Sequence, residues 1–274
     1  MNRVRFAVAG GALAGLDNGL VPATRIALLV PGYTGSKEDF QPLLRPLAAA
    51  GIRAVAIDQR GQYESSWAPT AEGYRVEALA EDVLAVADQL RVGPGRLHLL
   101  GHSFGGLVTR AATLAQPELF HDLVLMGSGP AAIGGQRREM IEAGEPVLST
   151  GGMPALWEHL QRRAQADPRY LRPAPNLLAF LEQRFLATDP VGLRVMGQAL
   201  RSEPDRVGEL AADPDPARPR RRRLAAPGTG RHGRTAGRPA RGHCRGRAFS
   251  GGRESTGHDR RPDPVLAFSS SVIG

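Results

Sequence analysis

The sequence has one cysteine, one lysine and few aromatic residues. Cys244 is the only cysteine, which excludes an intrachain disulfide and is compatible with a reducing compartment, so we expect a cytoplasmic protein. Apolar residues make up 42% of the chain, yet no apolar run approaches the roughly 20 residues that a membrane helix needs. We therefore expect a soluble globular protein without a membrane partner. Its 274 residues suffice for one large α/β domain.

Positive charge is concentrated at one end of the chain. Residues 213–274 contain fourteen arginines and five acidic residues, whereas residues 1–212 have a net charge of −1 out of a total of +8. Lys37 is the only lysine, and arginine, alanine, glycine and proline dominate, as a gene rich in G and C would encode. The segment that carries the recognisable motifs is thus nearly neutral.

The first sixteen residues, MNRVRFAVAGGALAGL, place basic residues before a small apolar stretch. An export signal is one interpretation. A strand candidate follows almost at once, so we favour a β-hairpin.

From residue 26 to about 127, short apolar runs alternate with amphipathic stretches. This order is typical of a mostly parallel sheet flanked by helices. The predicted strands are Arg25–Val30, Ile52–Ile57, Arg96–Leu100 and Leu123–Met126, and the predicted helices are Phe40–Ala50, Val76–Arg91 and Leu107–Gln116. From about 136 to 201 only helical patterns occur, namely Glu139–Ile141, Pro154–Ala166, Asn176–Ala187 and Val191–Arg201, which predict a helical lid within residues 131–204.

The sequence Gly101-His102-Ser103-Phe104-Gly105 follows a predicted strand and precedes a predicted helix. The pattern G-x-S-x-G in this context predicts a nucleophile elbow, a tight turn that holds the Ser103 Oγ atom clear of the sheet. The Phe104 N–H, at the start of the helix, would point at an oxyanion formed during acyl transfer. A chance match in a chain with 34 glycines is the alternative, and the strand and helix around the motif argue against it.

These motifs resemble those of the serine-nucleophile α/β-hydrolase family, and most closely its small esterase, lactonase and haloperoxidase-like members. The segment Val30-Pro31-Gly32-Tyr33-Thr34-Gly35-Ser36 stands where that family has its oxyanion loop, with Pro31 in place of the usual histidine. The resemblance implies that the Tyr33 N–H is the second oxyanion donor. It covers residues 1 to about 212 and implies no cofactor and no metal. A serine nucleophile argues against the branches that use an aspartate.

Asp58 and Arg60 lie in Ile57-Asp58-Gln59-Arg60-Gly61, which resembles the family's loop after the fourth strand. In that loop such residues are more often structural than catalytic, so we assign them no chemistry.

The family places its catalytic acid and histidine after its last two strands. No strand is predicted after the lid in this chain, so neither residue has a counterpart. We interpret His98, His102, His121 and His159 as structural, because none follows a final strand. His232, His243 and His258 lie in residues 213–274, whose ten glycines, seven prolines and lack of apolar periodicity predict disorder or a basic arm. A base must be held within hydrogen-bond reach of its nucleophile, so none of these three is a strong candidate. The catalytic histidine and acid therefore remain unassigned.

A shifted reading frame explains this segment. When back-translated codons are read from their second base, the missing elements can be encoded in the right order. Asp213–Arg223 can encode the strand-like TPTPxVLVVVG, Gly228–Arg231 an acidic E-x-D-D, Arg241–Cys244 the strand VVIV, and Arg247–Arg253 the histidine loop AHSPAVE. The frame would break near Ala211 or Ala212, because Asp205–Leu210 still reads as an ordinary helix. The last two strands of the fold would then be missing.

Three functions follow from the sequence. The first is a serine hydrolase that acts on an ester or related acyl bond of a small molecule through Ser103, impaired as written because the base and acid are absent. The second is a non-catalytic protein that binds a small molecule beneath the lid. The third is a nucleic-acid-binding arm, which ranks last because no aromatic residues interleave with the arginines. We therefore expect no nucleic-acid partner.

Overall fold

The structure is a computed structural model that describes residues 1–90 and 97–212. Within these residues, six strands form one sheet in the order β1-β2-β4-β3-β5-β6. The strands are Asn2–Val8 (β1), Gly11–Asp17 (β2), Arg25–Val30 (β3), Ile52–Ile57 (β4), Leu97–His102 (β5) and Phe120–Met126 (β6). The helices are Gln41–Ala49 (α1), Val76–Gln89 (α2), Phe104–Ala115 (α3), Gly135–Gln165 (α4), Pro175–Leu186 (α5), Pro190–Ser202 (α6) and Val207–Ala211 (α7), with short 3-10 helices at Lys37–Phe40, Ala71–Tyr74 and Pro117–Leu119.

The predicted α/β architecture is confirmed. Strands β3, β4, β5 and β6 pair in parallel, whereas β1 and β2 form an antiparallel hairpin whose second strand pairs with β4. The predicted N-terminal hairpin is therefore correct. The strands predicted at Arg25–Val30 and Ile52–Ile57 have the predicted bounds.

The core lies on both faces of the parallel strands. One face, with Leu28, Val55 and Leu99, packs against α2 and α3, and the other, with Leu29 and Ala56, packs against the α1 region. Strand β3 is buried along five of its six residues. Burial on both faces explains why the inner strands read as continuous apolar runs.

Three predicted boundaries around the sheet are wrong, at ends that carry polar or glycine residues. Helix α3 begins at Phe104 rather than Leu107, because Gly105 and Gly106 belong to the helix. Strand β6 begins at Phe120 rather than Leu123. Its first three residues, Phe120-His121-Asp122, include two polar side chains, which interrupt the apolar pattern used to predict the strand. Strand β5 also continues to His102, two residues past the predicted end.

The helical lid is confirmed as three helices, α4 to α6. The segments predicted at Glu139–Ile141 and Pro154–Ala166 are both part of α4, which is kinked at Gly152, where φ is +68°. The two ends of the lid meet at its base, where the Ala132 N–H donates to the Glu203 carbonyl and the Ile133 N–H to the Leu200 carbonyl, both at 2.8 Å. The lid has its own apolar core, formed by Leu148, Met153, Leu156, Trp157, Leu181, Phe185 and Leu193.

Several sequence predictions lie outside the described residues. They are the end of the helix predicted to reach Arg91, the start of the strand predicted at Arg96, and everything assigned to residues 213–274, including His232, His243 and His258. The predicted disorder of that segment stays a prediction.

Candidate active site

Ser103 occupies a strained turn between β5 and α3. Its φ of +50° and ψ of −119° are unusual for a residue with a side chain, and Ser103 and Tyr63 are the only non-glycine residues with positive φ in the described part of the chain. The Ser103 N–H donates to the Met126 carbonyl at 2.9 Å, which fixes the turn to β6. The serine is half-buried, at the carboxyl end of the inner strand β5.

The glycines of the motif allow this turn to pack closely. A Cβ atom on Gly101 would lie 2.4 Å from the Gly105 carbonyl oxygen, and one on Gly105 would lie 2.4 Å from the Val30 and Pro31 carbonyl oxygens. These neighbours are backbone atoms that cannot move aside. The first N–H groups of α3, including that of Phe104, have no intrahelical acceptor and carry the positive end of the helix dipole.

The loop after β3 passes directly beside Ser103. A Cβ atom on Gly32 would lie 3.1 Å from the Ser103 Cβ atom, so the structure brings the Tyr33 and Ser103 segments together. Two buried amides hold this loop from behind. The Gln59 side chain donates to the Pro31 carbonyl at 2.8 Å, and the Gln62 side chain donates to the Gly32 carbonyl at 2.7 Å.

A buried charge cluster lies under the same loop. Lys37 is 1% exposed, and its Nζ atom lies 2.9 Å from the Asp58 Oδ2 atom and 2.8 Å from the Glu64 Oε2 atom. Burial raises the pKa of Asp58 to about 6, although the Lys37 ammonium opposes that shift. Asp58 also accepts the Lys37 N–H at 2.7 Å, so it anchors the start of the 3-10 helix that follows the loop. The structure thus gives Asp58 the structural surroundings that we expected.

Arg60 has a similar structural setting on the other side of β4. Its guanidinium forms a bidentate pair with the carboxylate of Asp82 on α2, with an Nε to Oδ2 distance of 2.8 Å.

The lid is tied to the loop by one arginine. Arg184 of α5 is buried and donates to Asp39 and, at 3.2 Å, to the Ser36 hydroxyl. A second tie joins the Tyr74 hydroxyl to Asp189, at the start of α6. Ser36 and Asp39 follow the loop after β3, and Tyr74 lies in the segment after β4. These two contacts therefore fix the position of the lid relative to both segments.

An apolar cavity of about 770 Å³, open to solvent, lies between the lid and the loop. Tyr33 and Thr34 form its floor, and Ser103 is not among the residues that line it. Its walls carry one ion pair, in which Arg201 lies 2.7 Å from Glu145. The Tyr33 hydroxyl reaches toward α6 near Gly197, and burial raises the pKa of Tyr33. The cavity walls are formed by Met140, Ile141, Gly144, Glu145, Leu148, Leu156, Trp157, Leu160, Leu181, Arg184, Phe185, Leu193, Arg194 and Arg201.

No histidine in residues 1–90 and 97–212 forms a hydrogen bond with Ser103, whose side chain does not cap α3 either. His102 is the nearest in sequence, and burial lowers its pKa. His98 and His121 lie near the amino ends of β5 and β6, whereas Ser103 follows the carboxyl end of β5. His159 lies in the lid. Among the described residues, the structure therefore brings Ser103 together with the segments of Tyr33 and Phe104, and no histidine there bonds to Ser103.

Two features of this site were not predicted from the sequence: the two glutamine amides and the ion pair of Arg184 with Asp39. No pattern distinguishes Gln59 and Gln62 from ordinary loop amides, because their partners are backbone carbonyls distant in sequence. Arg184 lies 145 residues from Asp39 and reads as a solvated helix residue.

Comparison with known proteins assigns this arrangement to a family. The family described as alpha/beta hydrolase fold matches residues 28–229. A protein of Variovorax paradoxus named putative carbamate hydrolase RutD is 36% identical over 150 residues, which cover 50% of this chain and 55% of that protein. The chain thus spans about half the length of these curated relatives.

Solved structures share the fold. A carboxylesterase structure from Nitrososphaera gargenis has a TM-score of 0.64 at 21% identity and covers 76% of each chain. A hydrolase from Pseudomonas aeruginosa has a TM-score of 0.59 at 26% identity and covers 74% of this chain and 73% of its own. In the described part of this chain, none of the helices combines the length and apolar character required to span a membrane.

Proposed function

The chain belongs to the α/β-hydrolase fold family, and from that premise we propose that it derives from a serine hydrolase that cleaves an ester or related acyl bond of a small molecule. The observation that carries the proposal is the strained Ser103 turn beside the Gly32-Tyr33 loop. The names of its relatives, which include a carbamate hydrolase and a carboxylesterase, support acyl chemistry.

In the proposed reaction, the Ser103 oxygen attacks the acyl carbon and its proton passes to a histidine base. The Tyr33 and Phe104 N–H groups stabilise the oxyanion of the tetrahedral intermediate. The base returns the proton to the leaving group, and water then releases the acid and frees Ser103. Gln59 and Gln62 keep the loop that carries the Tyr33 N–H in position, since both bond to its carbonyls.

The apolar lid cavity is suited to the apolar part of such a substrate. Tyr33 lines the cavity and is adjacent in sequence to Gly32, where an added Cβ atom would lie 3.1 Å from the Ser103 Cβ atom. An acyl or alcohol group in the cavity would thus lie against the proposed oxyanion loop, of which Tyr33 and Thr34 are part. Burying an apolar group there contributes roughly 25 cal/mol for each Å² removed from water.

We further propose that this chain is impaired by a frame shift near Ala211 or Ala212. After that point the codons for the base and the acid are read out of frame, so neither residue is made. The arginine-rich composition of residues 213–274 and the order of elements in the shifted frame support this proposal. Losing the histidine alone costs on the order of a million-fold in turnover in a comparable serine hydrolase.

The test compares hydrolysis of short p-nitrophenyl esters by the chain as given and by a chain from which one base near those codons is removed. We expect a gain of several orders of magnitude, because nucleophile, base and acid act as a unit. Ser103→Ala in each background is the matched blank. Rates ordinary for enzymes in the chain as given would contradict the frame break, and His232, His243 or His258 would then have to act as the base.

A non-catalytic binding protein is the second candidate. It is favoured by a formed lid cavity lined by Tyr33 and by the lack of a base bonded to Ser103 among the described residues. It predicts that both chains bind a short apolar ester with similar affinity and that neither hydrolyses it. Turnover by the corrected chain that Ser103→Ala abolishes would exclude it.

A further inference from the structure

A β-bulge at the start of β6 places three potential metal ligands together. The pairing of β5 with β6 runs from Leu97 opposite Phe120 to His98 opposite Asp122, so His121 is the extra residue. Neighbouring residues of a regular strand point to opposite faces, and a bulge re-aims one of them. Here the His121 and His98 ring centroids are 4.9 Å apart, tilted by 35°.

Both imidazoles approach the same carboxylate oxygen, and His98 forms a hydrogen bond with it. The Asp122 Oδ2 atom lies 3.0 Å from the His98 Nδ1 atom and 3.3 Å from the His121 Nδ1 atom. One ligand atom of each residue lies within 4.8 Å of those of the other two. In a tetrahedral zinc site with bonds of 2.0–2.1 Å, neighbouring ligand atoms are about 3.3 Å apart. The two distances to the Asp122 oxygen already match this spacing, and the two imidazole ligand atoms lie no more than 4.8 Å apart.

The donor set favours particular metals. Two imidazole nitrogens and one carboxylate oxygen suit Zn²⁺, Ni²⁺ or Cu²⁺ better than Mg²⁺ or Ca²⁺, which take oxygen ligands. In the described part of the chain, the ion-pair partners of Asp122 are these two histidines, so no guanidinium competes for the carboxylate there. The side chains are 23%, 57% and 36% exposed for His98, His121 and Asp122, which leaves an entry path and room for a water as fourth ligand.

We propose that His98, His121 and Asp122 form a binding site for a zinc-like divalent transition-metal ion. The site lies at the amino ends of β5 and β6, at the opposite end of β5 from Ser103, so it takes no part in the proposed acyl chemistry. An ion held there joins β6 to β5 through side chains as well as backbone. Its role is to fasten the strand that is outermost on that side of the described sheet.

The test is a zinc titration of the full chain after chelator treatment, read by competition with a chromophoric chelator. Because His232, His243, His258 and Cys244 are also possible ligands, the titration is repeated in a background in which all four are substituted. We expect that background to keep one equivalent of Zn²⁺. Within it, His98→Gln, His121→Gln and Asp122→Asn should each weaken binding by about tenfold or more, and His159→Gln should leave binding unchanged.

A second measurement guards against variants that fold poorly. Bound Cu²⁺ in the four-substituted background should show nitrogen coupling from two imidazoles in its electron paramagnetic resonance spectrum, and from one imidazole after His121→Gln. Saturating Zn²⁺ should also raise the thermal midpoint of that background, and not that of His121→Gln. Loss of zinc binding on removing the four distal ligands, or binding that is indifferent to His98, His121 and Asp122, would overturn the proposal.

Discussion

Strands β3 and β6 are both apolar strands in the parallel part of one sheet, yet their burial differs sharply. Five of the six residues of β3 are buried, whereas only Phe120 of the seven residues of β6 is buried. The run Leu123-Val124-Leu125-Met126 is apolar on both faces, a pattern typical of a strand covered on both sides. Among the described residues, β5 is the only strand that pairs with β6. The sequence of β6 thus suits the interior of a sheet, while its position in the described part is at an edge.

This difference supports the proposed frame break from a second direction. An exposed apolar edge strand is a site for unwanted pairing, and natural proteins usually cover it or give it charged residues. The shifted frame of residues 213–274 can encode two further strands, which would supply that cover. The exposure of β6 among the described residues and the arginine-rich composition of residues 213–274 are independent observations. The proposed frame shift accounts for both.

The largest effect should come from a matched pair of leucines in the two strands. Leu28 of β3 is fully buried, and Leu125 of β6 is partly exposed. We expect Leu28→Ala to lower the free energy of unfolding by about 4 kcal/mol, and Leu125→Ala to lower it by about 1 kcal/mol, because a partly exposed side chain loses less apolar burial. Urea denaturation of both variants measures the difference. Equal losses would mean that β6 is as well covered as β3.

A smaller difference in the free energy of unfolding should separate the buried pair Lys37–Asp58 from the half-exposed pair His98–Asp122. Lys37→Met leaves the buried Asp58 carboxylate without its ammonium and should cost about 3 kcal/mol. Asp122→Asn, measured in the presence of a chelator, removes a half-exposed pair and should cost less than about 1 kcal/mol. The double variant Lys37→Met with Asp58→Asn is the control. It should be more stable than Lys37→Met alone, and a further loss in the double variant would argue against the buried pair as the cause.

The smallest effect should be a contrast in pH dependence. Burial raises the pKa of Asp58 to about 6, whereas the hydrogen bond from His98 lowers the pKa of Asp122. A carboxyl group with a raised pKa contributes stability that is complete below about pH 4 and is lost as the pH rises through about 6. One with a lowered pKa contributes stability that is present above about pH 4 and is lost as the pH falls through its folded value.

Urea denaturation between pH 3 and pH 7, roughly the range in which these carboxyl groups titrate, tests this contrast. Asp58→Asn should reduce the loss of stability that occurs as the pH rises from about 4 to 6. Asp122→Asn should reduce the loss below about pH 4. Only the slopes are compared, because each substitution also shifts the overall stability. Unchanged slopes in both variants would show that the two carboxyl groups titrate alike in the folded and unfolded chain.

Much of the fold follows from local sequence patterns. The apolar runs of β3 and β4 and the strand, turn and helix around Ser103 were predictable because each is determined by residues close in sequence. The break between the predicted segments Glu139–Ile141 and Pro154–Ala166 is local as well. Gly152, whose φ of +68° and ψ of −164° are not helical, divides α4 at that point.

The rest of the site depends on distant contacts that no local pattern reveals. The bulge that brings His121 beside His98 arises from the register between two strands, and we interpreted both histidines only as structural. The amides of Gln59 and Gln62 find their acceptors about 30 residues earlier in the chain, with separations of 28 and 30 residues. The sequence therefore shows where the polar loop residues are, but it does not predict which groups they bond to.

Labelling with a fluorophosphonate probe tests the central claim most directly, because such probes react with a serine that is activated by a base. The frame-corrected chain should label rapidly on the peptide that contains Ser103, the chain as given should label slowly, and Ser103→Ala should remove the label from both. Labelling of the corrected chain that survives Ser103→Ala would contradict the assignment of the nucleophile. Equally rapid labelling of both chains at Ser103 would contradict the loss of the base.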